Sequence, residues 1–182
     1  MNVMKVIRIS LILLTVLSFF SCKEQRLQDI EYIKNLESKT FSPNVVKLDT
    51  KLANELINAY EKFNKDYPDD TLSANYLFKA GEISMSMNDG KKALLFFEMY
   101  MKQYPEFKKA AHCLFLQGFV YETHLKDTAT ARKKYMHFLE KYPTHELVKD
   151  ASASIELLGK SPEEIIKLFE ERQKQAVQTP GK

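Results

Sequence analysis

Tryptophan is missing from the 182 residues, cysteine occurs twice and histidine four times, and basic side chains outnumber acidic ones by only three. Each shortage removes a class of protein. A secreted disulfide scaffold needs an even set of cysteines at close spacing, and a zinc site needs paired Cys or His ligands. Cys22 stands at the amino-terminal edge and Cys113 inside an apolar stretch. Neither pattern is met, and Cys113 reads as a small buried hydrophobe. His112, His124, His137 and His145 form no i, i+4 ligand pair and no HExxH, so no metal centre is expected. The 27 basic and 24 acidic groups leave a formal charge of +3. A nucleic-acid binder needs a clustered basic face, so no nucleic-acid partner is expected.

Motifs that carry chemistry are missing too. Gly159-Lys160-Ser161 has the end of a phosphate loop, but that loop needs a glycine five places earlier, where Ser154 stands. Asp66, Asp69 and Asp70 surround a turn without the spacing or the closing Glu of a calcium loop. No Ser or Cys has a motif-borne base. No catalytic residue and no cofactor is expected, and an enzyme with a site assembled from distant residues is the third alternative for function.

The longest apolar run, Ile9 to Phe20, follows Lys5 and Arg8 and ends at Ser21-Cys22. A basic segment followed by a short apolar one is the pattern of a secretory signal. It falls short of the roughly 20 residues a spanning helix needs. Its removal would take away Lys5 and Arg8 and leave a charge of about 3 − 2 = +1.

What is present in quantity is repetition. YEKFNKDYP (Tyr60 to Pro68) returns as FEMYMKQYP (Phe97 to Pro105) and as YMHFLEKYP (Tyr135 to Pro143). The prolines at 68, 105 and 143 give a period of 37 and then 38, the range of helical repeats. Tyr60, Phe63 and Tyr67, spaced by three and four, share one helix face, as do Phe97, Tyr100 and Tyr104, and Tyr135, Phe138 and Tyr142. Each helix should stop at its proline. A second helix occupies the other half of each unit, with Gly81 and Gly118 each 13 residues after a proline, where close helix approach would favour glycine. Turns are expected at Asn88-Asp89-Gly90 and Lys126-Asp127-Thr128. Gly159, Ser161, Pro162 and Glu164 read as a helix stop and a capping box that opens a closing helix to about Lys174, with Ile165, Leu168 and Phe169 on one face. At the front, Leu27, Ile30, Ile33 and Leu36 suggest a short amphipathic helix broken at Thr40 to Pro43.

These positions resemble the tetratricopeptide repeat. Gly81, Ala93, Phe97 and Pro105 fall at intervals of 12, 4 and 8, and Gly118, Tyr121, Ala131, Tyr135 and Pro143 repeat them with one extra turn residue. Leu56 replaces a small residue, and Leu77 and Leu114 stand where the family often has Trp. The resemblance covers about Lys51 to Glu156. It implies an all-α fold, a helix-turn-helix solenoid of about three repeats with a C-terminal capping helix. The start resembles a bacterial lipoprotein signal of a looser, Bacteroidetes type, with Phe19 and Phe20 at the lipobox positions, which makes Cys22 the lipidated residue. Lys23 in place of an inner-membrane retention Asp favours the outer membrane. The aromatic-x-x-aromatic-x-x-x-Tyr-Pro ending is similar to envelope proteins of the barrel-assembly lipoprotein (BamD-like) and Tol-Pal-associated YbgF types.

The expected division is a lipoprotein-type signal peptide over 1–21, a lipid-anchored tether with the amphipathic helix over 22–50, a repeat domain over 51–175 and a disordered tail over 176–182. Family precedent places ligand contacts on the first helix of each repeat. That nominates Asn75, Phe78, Glu82 and Met85, with His112, Phe115, Phe119 and Glu122 each 37 residues on, as a concave groove. For Phe78 and Phe115 core packing is the reading preferred to contact. The implied partner is an envelope protein or peptide segment with apolar anchors. The implied function is a lipid-anchored, periplasm-facing scaffold that takes part in outer-membrane protein assembly. A Tol-Pal, cell-wall or division-linked adaptor is the alternative.

Overall fold

The computed structural model describes residues 23–42 and 47–178, with side chains through 174. The expected signal segment, Cys22 as the expected lipidation position, Pro43 and the last four residues lie outside them. The described elements are α1 (23–40), α2 (Thr50–Asp66), α3 (Thr71–Ser86), α4 (Gly90–Gln103), α5 (Ala110–Thr123), α6 (Thr128–Lys141), α7 (Val148–Leu157) and α8 (Pro162–Gln178). The described fold is all-α, with no strand, and consists of helix-turn-helix pairs of the expected kind. Among the described residues no helix is long and apolar enough to cross a membrane. The chain divides into two compact units, Met1–Met87 and Asn88–Lys182.

The thrice-written segment has one structural meaning. Tyr67, Tyr104 and Tyr142 each end a helix in the same conformation, with φ of −134°, −130° and −131° and ψ of 61°, 53° and 57°. The following proline disfavours helical geometry there. Each tyrosine amide still donates to the carbonyl four residues back, on Phe63, Tyr100 and Phe138. The rings of these same pairs lie 4.7, 5.8 and 5.8 Å apart. Helix starts are written in aspartate: Asp49, Asp70, Asp89 and Asp127 accept from the first free amides of α2, α3, α4 and α6. The expected turns are confirmed by Asn88 and Lys126, which take left-handed φ values of +60° and +56° one residue before the caps.

In the first unit α2 packs on α3. Tyr60 stacks on Tyr76 at 4.8 Å, and Phe63 meets the edge of Tyr76 at 5.0 Å. Helix α1 contributes Ile33 and Leu36 to the core, whereas Leu27 is 54% exposed, so the apolar face is shorter than its leucine spacing suggested. Polar bonds join α1 to its neighbours: Tyr67 Oη donates to Asp29 at 2.9 Å, Tyr32 Oη to Glu55 at 2.8 Å, and Arg26 pairs with Asp70.

In the second unit α5 packs on both α4 and α6, and α6 on α7. Leu114, Tyr135, Phe138 and Ala151 form the buried centre, and Cys113 is a buried thiol. The close approach expected at Gly118 is present, since its backbone lies against the Tyr135 ring. Gly159 takes φ +79°, and Ser161 and Glu164 form the expected box, with bonds of 2.7 and 3.2 Å. Two details of α8 differ from expectation. It runs to Gln178, into the segment expected to be disordered, because no breaker precedes Pro180. Phe169 is 53% exposed, because Arg172 pairs with Glu156 of α7 and centres the inward face between Ile165 and Leu168.

Candidate functional site

On α5 the spacing of three, four and three places His112, Phe115, Phe119 and Glu122 in one stripe, and none of them is fully buried. Ala110, Ala111, Cys113, Leu114, Gln117 and Gly118 take the covered side. The stripe is tied at several points to α6 and to the turn after it. Phe115 lies 5.4 Å from the Tyr135 ring and 5.7 Å from Phe138. Glu122 accepts from the Tyr135 hydroxyl at 2.7 Å, and that phenol is pushed well above its usual range, first by burial and then by Glu122. Phe119 is the open aromatic of the stripe, 37% exposed and 6.3 Å from the His124 ring. Phe115 is therefore as much core as contact, Glu122 is a held carboxylate, and Phe119 is the side chain best placed to meet a partner.

The first unit presents a different surface. Asn75 and Glu82 are exposed on α3 and Met85 is half-buried. Phe78 is buried, in keeping with its core reading: α3 is covered on the broad side that also holds Tyr76, Leu77 and Ala80. Glu82 borders a cavity of about 610 Å³ between α1 and α3, shared with Lys34, Glu37, Phe41, Lys79 and Ile83. Glu37 accepts from both the Tyr60 hydroxyl and Lys79 Nζ at 2.6 Å. Burial, and next Glu37, push the Tyr60 phenol far above its usual range.

Sequence reasoning missed the α1 side of this cavity because it treated α1 as part of the tether. It also missed a polar cluster at the first end of the α5 stripe. His112 meets the His145 ring edge-on at 4.9 Å, and its Nε2 lies 3.4 Å from Glu146 Oε1. A search for ligands four residues apart on one helix cannot find groups that stacking brings together across 33 and 34 positions. Burial, then His145, hold the His112 imidazole below its ordinary pKa, and its Nδ1 is enclosed without a hydrogen-bond partner.

Helical pairs with half-open aromatic and acidic stripes are surfaces of the kind that interaction proteins present. Residues 112–145 match the family model for the tetratricopeptide repeat, spanning α5, α6 and the turn before α7. That stretch is similar to the tetratricopeptide repeat, a module that typically binds protein partners. No curated protein matches the chain.

Proposed function

We propose that this protein is a lipid-anchored scaffold of the bacterial envelope, held at the periplasmic side of the outer membrane through Cys22, with a role in outer-membrane protein assembly. The observation that carries the scaffold reading is the α5 stripe inside the matched repeat, where Phe119 is left open among otherwise packed side chains. The apolar run ending at Ser21-Cys22 supports the anchor, since acyl chains on one cysteine with a second membrane signal, or several chains, give stable attachment. The partner is a segment with apolar anchors, laid along the stripe.

The test is affinity purification from crosslinked, detergent-solubilised envelopes with a Cys22→Ala control. Recovery of the barrel-assembly machinery, lost with Cys22→Ala, supports the reading. Recovery of Tol or wall-bound proteins replaces it with the adaptor function, and recovery of nothing above control removes both. Phe119→Ala should weaken capture of the recovered partner at least about tenfold while leaving thermal unfolding unchanged, as expected for an anchor at an interface centre.

A further inference from the structure

We propose that His112, His145 and Glu146 bind a divalent transition-metal ion such as zinc or cobalt, tying α5 to the turn between α6 and α7. One ligand atom from each of the three lies within 4.8 Å of the others. Two imidazoles and a carboxylate suit zinc, cobalt or nickel and suit magnesium or calcium poorly. The spacing fits as well. Ligands about 2.0–2.1 Å from a tetrahedral zinc lie about 3.3–3.4 Å from one another, and His112 Nε2 and Glu146 Oε1 are 3.4 Å apart. That separation is long for a hydrogen bond and right for two ligands of one ion.

His145 is the ligand that gives up a bond on binding. Its Nδ1 accepts from the Leu147 amide at 3.2 Å, so its neutral proton sits on Nε2. Metal binding moves that proton to Nδ1 or takes Nδ1 itself, and either way the long Leu147 bond is given up. The Glu146 side chain is 75% exposed, so it can adjust, and a fourth position stays open to water. Burial disfavours the charged form of His112, and a metal takes the neutral ring. Two features hold the affinity down: Lys108 and Lys109 lie near His112, and His112 Nδ1–H would find no acceptor to orient the ring. The site should be saturable and reversible. His112 and His145 are the first and last residues of the matched repeat, so the ion would close that repeat on itself. The inference is independent of the scaffold reading.

The experiment titrates the untagged full-length chain in detergent with Co²⁺ alone, following visible absorption, and with Zn²⁺ by calorimetry. The expected result is one equivalent bound, ligand-field bands displaced by Zn²⁺, and a metal-dependent rise in melting temperature. His112→Gln and Glu146→Gln should weaken binding at least about tenfold, and His137→Gln should leave it unchanged. Glu146→Gln changes an exposed side chain and serves as the deciding variant if His112→Gln fails to fold. Absence of saturable binding below millimolar metal overturns the proposal, as does equal binding by Glu146→Gln.

Discussion

Tyr135 fills the space that a side chain at Gly118 would need: a Cβ there would stand 2.7 Å from ring carbons Cδ1 and Cε1. Alanine is better than glycine in a helix by about 1 kcal/mol, whereas overpacking a tight contact costs about 1–3 kcal/mol. The ring cannot swing away, because it is wholly buried and its hydroxyl is held by Glu122. Gly118→Ala should therefore lower stability by up to about 2 kcal/mol in urea unfolding. An unchanged or raised midpoint would mean that α6 yields.

Lys126 adopts φ +56° on an exposed turn, where its counterpart one repeat earlier is Asn88 at +60°. A left-handed residue with a Cβ loses roughly 1 kcal/mol or more, and glycine does not. Lys126→Gly should raise stability by about 0.5–1 kcal/mol, less whatever chain entropy glycine adds to the unfolded state, and Lys126→Val should lower it. Thermal unfolding of the three proteins side by side checks the order.

The Asp70 carboxyl lies below its ordinary value of 3.8, first because Arg26 bonds to it and further because the Leu72 amide does, while burial opposes both. A depressed folded pKa gives stability that is complete above the unfolded value and is lost as pH falls through the folded one. Arg26 is about one-third exposed, so Arg26→Gln should cost only a few tenths to about 1 kcal/mol near neutrality. That difference should shrink as pH falls below the ordinary 3.8 and vanish once Asp70 is protonated in both proteins. Urea midpoints across pH read it directly, and a pH-independent difference would assign Arg26 a packing role.

Glu37 on α1 holds the Tyr60 hydroxyl of α2 and Lys79 of α3 together. Glu37→Ala leaves a buried phenol without an acceptor and should cost about 1–3 kcal/mol. Tyr60→Phe removes one donor and leaves Lys79 in place, so about 0.5–1.5 kcal/mol is expected. Hydrogen exchange should rise in residues 23–40 with Glu37→Ala while 110–123 stays protected. Uniform change in both would remove the idea that Glu37 fastens α1.

The repeated aromatic-and-Pro segments were readable as helix ends because their causes are local. Proline restricts the residue before it, and an aromatic four residues back is always on the same face. Aspartate caps, the box at Ser161 and Glu164, and the turns at Asn88 and Lys126 belong to the same short-range chemistry. Phe119 was reached by another route, the resemblance that places contacts on the first helix of each repeat. Neither route decided Phe78, because an aromatic on α3 is a contact or a core residue according to what lies over it.

The sequence by itself determined which segments are helices, where they stop and that they recur, since backbone preference and 3.6-residue periodicity act within a few residues. Tertiary structure alone decided that Glu37 joins three helices, that Phe169 faces outward and that His112 meets His145 and Glu146. Such meetings depend on how one helix is rotated against the next, and that rotation is set by the summed packing of side chains far apart in the chain.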